Sequence, residues 1–300
     1  MDEEVRLGRL RVSRRRALAV GGVVGLSGVL AACGSAAVAP SGGTATGTTT
    51  AAAPPVTDPA QLLDVANTCT LAHKKAQGRY WFDVDSIRSD IREGRPGIAL
   101  GLALRVHDLS SCSVGDPVKP VPDAVVEIWH CDAGGVYSGY PPAAAPGGNQ
   151  PASDAPGVPD QGGEGLQDDL GRLGGTSRGS YSSGEPQAPP TEDTTWLRGA
   201  QATDAAGVVR FTTIFPGWYV GRTVHIHCKV HLDRRTVLTT QLFFPDEFTD
   251  AIHLAVLPYS ERPLRDTRND TDPVYDDVGL MTTQRHGAGY LAAINLGLDL

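Results

Sequence analysis

Phe211 to Val230 reads FTTIFPGWYVGRTVHIHCKV, a turn feeding a strand, and its alternation decides the fold class. Strand side chains alternate between faces, so Val224, Ile226, Cys228, Val230 and Leu232 form one apolar face, and His225, His227, Lys229 and His231 share the other. Same-face neighbours stand roughly 6.6 Å apart along the backbone, a separation that two imidazoles can close onto one metal ion. By itself a His-x-His pair also suits a solvated strand face, because antiparallel sheets commonly keep one face wet. Tyr219 just upstream and Tyr137 further back favour the metal reading.

Outward from this stretch the chain reads as short strands. Ile98 to Val106 alternates Ile, Leu, Leu, Leu and Val with Ala99, Gly101, Ala103 and Arg105, the pattern of a half-buried strand. Further strands are expected over Ala124 to His130, Gly207 to Ile214, Thr223 to Leu232, Thr236 to Phe244 and Gly289 to Leu296. Asp233-Arg234-Arg235 reads as a three-residue hairpin turn, which sets Gln241 opposite His227. Asp58-Pro59 opens a short helix, and Asp246 to Val256 a second one capped by Asp246. Neither is long enough to cover a sheet. The expected class is mainly β, an antiparallel sandwich of two sheets with long loops and little helix.

Composition divides the 300 residues. Residues 1–33 place Arg14-Arg15-Arg16 before an apolar run ending Leu30-Ala31-Ala32-Cys33, a twin-arginine-type export signal whose end resembles a lipobox. Cys33 would then carry lipid and hold the protein at the outer face of the cytoplasmic membrane, the alternative being a secreted protein. Residues 34–57 lack charge and read as a flexible tether, leaving 58–300 as the domain. Within it, 141–190 is a low-complexity insertion rich in Gly, Pro, Ala and Ser, either a disordered surface segment or a partial lid. The formal charge is −8, and the first 32 residues carry +3 (six Arg against one Asp and two Glu), so the remainder carries −11. Nucleic acid, which wants a basic patch, is disfavoured as a partner.

With Cys33 assigned to lipid, Cys69, Cys112, Cys131 and Cys228 remain. In an oxidising compartment an even remainder suggests two disulfides, in any of three pairings. The favoured one joins Cys131 with Cys228 and Cys69 with Cys112.

The candidate metal ligands are Tyr137, Tyr219, His225 and His227. Phenolate is a hard anionic donor whose proton leaves only for a strongly polarising cation, and zinc would more readily recruit carboxylate or thiolate. Two phenolates beside two imidazoles argue for ferric iron. The single positive charge left on such a site would accept one more anionic ligand, such as a deprotonated catechol.

Val126-Glu127-Ile128-Trp129 through Gly135-Val136-Tyr137, then Phe211 to Tyr219, Arg222 to His227 and Thr240 to Phe244, resemble the intradiol ring-cleavage dioxygenases, the family of catechol 1,2- and protocatechuate 3,4-dioxygenase. The resemblance covers roughly residues 69–297, less the insertion. It implies a non-haem Fe(III) centre that activates a catechol-type ring for attack by O2 and opens it between the hydroxyl-bearing carbons to a cis,cis-muconate. On that resemblance Tyr137 matches the tyrosine that stays bound and Tyr219 the one displaced by substrate, serving as its base. His225 and His227 match the histidine ligands, and Arg222 and Gln241 the pair over the substrate ring. Two departures concern the pocket wall: the gap from Tyr219 to His225 is short, and Gly78-Arg79-Tyr80-Trp81 replaces a Gly-Pro-Tyr-Tyr. With Arg222 as the evident basic pocket residue, neutral catechols or hydroxyquinol are expected over protocatechuate.

Several neighbours read as structural: His231 as a surface histidine, His130 as a satisfied buried one, and Asp266, Asn269 and Asp272 as turn caps. The competing class is a non-catalytic cell-surface sandwich binding aromatic or carbohydrate ligands, or a structural surface lipoprotein. Neither needs Arg222 and Gln241 beside four ligands.

Overall fold

In the computed structural model, Leu100, Leu102, Leu104 and Val106 all point inward from β1 (Ala99–Asp108), as their alternation requires. The structure describes residues 57–66, 69–78, 80–110, 119–140 and 175–300. The expected export signal, the tether, Cys112 and most of the insertion lie outside the described residues. Two units, Met1–Ala52 and Ala53–Leu300, divide the chain, and every described residue belongs to the second.

β1 anchors the first sheet. It pairs antiparallel with β2 (Lys119–Pro120) and β5 (Val208–Ile214), and parallel with β9 (Gly289–Leu298), which pairs in turn with β8 (Thr282–His286). The parallel β1–β9 pair departs from the expected all-antiparallel sheets. Parallel strands want both faces covered, and a six-residue 3-10 helix, Pro59–Asp64, supplies the cover here. Its Leu62 and Leu63 pack on Ala103, Leu291 and Ala293. Asp58 caps that helix by accepting the Ala60 N–H at 2.9 Å.

The second sheet runs β4 (Arg198–Ala202), β3 (Val125–Trp129), β6 (His225–Leu232), β7 (Arg235–Phe243), all antiparallel. Its inward side chains, among them Val126, Ile128, Ile226, Cys228, Val230 and Leu242, join those of β1, β5 and β9 in one buried cluster. The architecture is thus the expected sandwich with little helix. α1 (Asp246–Ala255) begins on its expected cap residue: Pro245 holds the N-cap position, and Asp246 accepts from Arg265 instead.

The β6–β7 hairpin turns on two residues, not three. Asp233 and Arg234 both have positive φ, at 49° and 64°, as such two-residue turns require. A bulge between Val230 and His231 restores the lost residue, so His227 still faces Gln241.

The histidine-bearing face of β6 is not solvated: His225, His227, Lys229 and His231 are 2%, 1%, 0% and 1% exposed. Residues 80–82 and 175–190 cover it. Lys229 Nζ lies 3.5 Å from the centre of the Trp81 ring and pairs with Glu185 at 3.2 Å. His231, expected at the surface, is buried against Glu127 at 3.1 Å and Tyr181. Its alternation assigned the face correctly; the cover comes from segments distant in sequence.

Candidate metal centre

Three donor atoms meet at the start of β6. Tyr219 Oη lies 3.2 Å from His225 Nε2, and His225 Nε2 lies 3.2 Å from His227 Nε2. The Tyr137 ring stands beside them, with centroids 5.9 Å from Tyr219 and 6.0 Å from His227. The four rings predicted from sequence are therefore brought together, all buried.

Each ring is held differently. His225 donates Nδ1–H to the Thr223 carbonyl at 2.7 Å, which leaves its Nε2 lone pair facing the centre. His227 Nδ1 has no hydrogen bond among the described residues. Stacking orients this ring instead: Trp129 lies on it at 4.8 Å with planes 5° apart. Tyr80 stacks on Tyr137 at 4.6 Å, which makes it part of the site's aromatic wall. Burial, then the Arg222 charge, hold both histidines well below the usual imidazole range. Both are neutral near pH 7, the form that ligates metal.

The two tyrosines arrive on interlocked loops. Tyr137 ends the bend after β3, where Asp132 Oδ1 accepts the Gly134 and Val136 N–H groups at 2.8 and 3.0 Å. The loop of Tyr219 crosses it through Gly217, whose N–H donates to Asp132 O at 2.9 Å. A Cβ at Gly217 would lie 2.5 Å from the Asp132 and Ala133 carbonyl oxygens, so only glycine admits this crossing.

Arg222 and Gln241 complete one side. Gln241 Oε1 accepts from Arg222 Nη2, and its Nε2 donates to the Ala76 carbonyl at 3.0 Å. Arg222 Nε donates to Asp272 Oδ2 at 2.9 Å, in an ion pair whose side chains are 4% and 0% exposed. Sequence reading assigned Asp272 a turn-capping role, which it has toward the Val274 N–H at 2.8 Å, but missed its hold on Arg222. Nothing local could have signalled a partner fifty residues away.

The expected Cys131–Cys228 disulfide is overturned. Both thiols are free and buried: Cys228 faces the intersheet core, whereas Cys131 donates to the Gly217 carbonyl at 3.4 Å within the aromatic cluster. Cys69 is disulfide-bonded. His130 is the satisfied histidine expected, bonded to Cys131 O and Thr213 Oγ1, both at 2.8 Å.

The donor set fits a metal ion. Bonds of about 2.1 Å at angles of 90–110° separate donors by about 3.0–3.4 Å, which matches both 3.2 Å gaps. No group of three His, Cys, Asp or Glu among the described residues is placed to hold a metal, so an ion here would depend on phenol oxygen. Such a set suits a hard, highly charged cation better than zinc.

No protein-family model matches the sequence, and a search of curated proteins found no match. Solved structures do match. The chain aligns with an intradiol ring-cleavage dioxygenase from Tetranychus urticae at 27% identity and TM-score 0.58, covering 77% of this chain and 95% of that one. A second dioxygenase structure aligns at 26% identity and TM-score 0.55 over the same shares. The chain has the fold of the intradiol ring-cleavage dioxygenases, and the resemblance carried by its motifs extends through the sandwich.

Proposed function

We propose that this chain is a non-haem Fe(III) intradiol dioxygenase acting on a catechol-type ring, with Tyr137, Tyr219, His225 and His227 as the metal ligands. The observation that carries it is the meeting of Tyr219 Oη, His225 Nε2 and His227 Nε2 in successive 3.2 Å gaps beside Tyr137 and the Arg222–Gln241 pair. Ferric iron held by these four residues would supply the Lewis acidity and electron demand that activate a catechol-type ring toward O2.

The chain's own groups do the rest. Tyr219 would take a substrate hydroxyl proton at Oη, acting as a general base. Arg222, fixed by Asp272 and Gln241, presents a guanidinium to negative charge developing on the ring. Burial strengthens that interaction by excluding water. Ring opening between the two hydroxyl-bearing carbons takes up both oxygen atoms of O2 and gives a cis,cis-muconate-type acid. Neutral catechols or hydroxyquinol remain the preferred substrates.

The test is the visible spectrum of residues 34–300 loaded with iron, before and after catechol under anaerobic conditions. A red-brown tyrosinate-to-iron band that shifts on catechol addition is expected. A protein that stays colourless after iron loading overturns the assignment and favours a surface binding module.

The same proposal places the enzyme outside the cytoplasm, tethered through lipid on Cys33. Support comes from the Arg-rich, apolar N-terminal sequence and from the disulfide at Cys69, a bond favoured in oxidising compartments. Fatty-acid labelling that persists in Cys33→Ser would remove the anchor from this proposal.

A further inference from the structure

One row of residues crosses the second sheet on its buried outer face. Arg198 on β4 pairs with Trp129 on β3, Trp129 with His227 on β6, and His227 with Gln241 on β7. Three of the four touch or belong to the proposed metal centre. Arg198, at the far end, is given no role in that centre by the sequence motifs.

Its surroundings are unusual for a guanidinium. Arg198 is 2% exposed and makes no ion pair among the described residues, and its Nη1 makes no hydrogen bond there. Burying a charge without a counter-charge is costly, so an apolar residue would serve packing better. What the guanidinium does instead is grip one residue twice. Nε donates to Ser138 Oγ and Nη2 to Ser138 O, each at 2.8 Å. The Phe82 ring lies against its face at 4.3 Å, and the Tyr140 ring stands at 6.0 Å.

Ser138 directly follows Tyr137. A planar fork holding its hydroxyl and carbonyl together fixes the backbone through which the Tyr137 ring is aimed. The turn is pinned beyond that point as well: Gly139, at φ 81°, donates its N–H to Thr194 Oγ1 at 2.8 Å. Trp129, paired with Arg198 on one side, stacks on His227 on the other.

We propose that Arg198 is a positioning residue for Tyr137, setting the phenol against the His225–His227 pair through its twofold grip on Ser138. This rests on Tyr137 being a metal ligand. Removing outer partners of metal ligands typically weakens metal affinity by about 10–100-fold. Arg198→Met should therefore lower iron affinity by a factor in that range and shift the tyrosinate-to-iron band. Arg198→Lys keeps a charge but not the fork, and should fail to restore the band position.

The deciding experiment is a double-mutant cycle read by chelator competition for iron. Arg198→Met and Tyr137→Phe are each expected to weaken binding, and the double variant to bind within about twofold of Tyr137→Phe, because the grip on Ser138 leads to the site through that phenol. Multiplying losses in the double variant would overturn the proposal, since Arg198 would then support the site by another route. Ser138→Ala, milder to the fold, enters the same cycle should Arg198→Met not fold, with the same two outcomes. A Tyr137→Phe protein that holds iron as tightly as the parent would instead sink the metal-ligand assignment itself.

Discussion

The Asp272 carboxylate receives Arg222 Nε and the Thr223 N–H on the same oxygen, each at 2.9 Å, and so fixes a guanidinium with its Nη2 on Gln241. Its neighbours serve the same turn. Asp266 accepts the Gly221 N–H at 3.3 Å, and Asn269 Oδ1 accepts the Thr223 hydroxyl at 2.7 Å. Three polar residues that sequence reading gave to local turns thus clamp the three residues leading into the His225–His227 strand.

Asp272→Asn keeps the shape and an acceptor but removes the charge opposing Arg222. Catalytic efficiency should fall about 10–100-fold, mostly in kcat, while iron content and the resting band stay unchanged. Steady-state kinetics beside an iron assay check this. Turnover at the parent's rate would show that Asp272 serves the fold alone. Asp272→Ala should be worse in a different way, losing about 3–5 kcal/mol of stability through an uncompensated buried arginine.

The two tyrosines should separate by substitution. Tyr219→Phe should keep a coloured iron site through Tyr137, yet lose about 10²–10⁴-fold in kcat for want of a proton acceptor. Tyr137→Phe should lose affinity for iron. Anaerobic spectra of both, with and without catechol, carry the comparison; equal effects in the two variants would contradict their assigned roles.

What the sequence discloses and conceals follows from the range of each interaction. Alternation along Val224 to Leu232 is local, and both faces of β6 were legible from it. The Gln241 register was legible too, although by a turn one residue too long, because the bulge at Val230 and His231 offsets the difference. Burial of Lys229 and His231 was not legible: their cover, Trp81, Tyr181 and Glu185, sits 44 residues or more upstream. β8, TTQRH, carries no apolar alternation and exists through its pairing with β9. The Cys131–Cys228 expectation failed because nearness of strand ends says nothing of the opposite faces on which the two thiols lie.

Gly217→Ala tests the crossing of the tyrosine loops. The added methyl would meet two backbone carbonyls at 2.5 Å, neither of which can swing away as a side chain could. A loss of about 1–3 kcal/mol is expected in denaturant unfolding, with reduced iron affinity because both loops must part. Unaltered stability would mean that the crossing has slack.

Acid should weaken the fold through His253. Burial, reinforced by the Arg262 and Arg265 charges, holds its imidazole down at about 4 even though it bonds the Pro216 carbonyl at 3.4 Å. Above pH 6.5 the ring is neutral both folded and unfolded, so its contribution to stability is fully present. As pH falls from 6.5 toward 4, the unfolded chain binds a proton that the folded one refuses, and stability is lost across that window, by about 3 kcal/mol in all. Below about 4 both states are protonated and the loss levels off. Unfolding free energies of the parent and His253→Gln, measured from pH 4 to 7, should therefore differ in slope, the variant falling less steeply. His130, held near 4 by its own burial, leaves a residual slope in both. Parallel curves would place the acid sensitivity elsewhere, and would mean that His253 is protonated as readily in the fold as out of it.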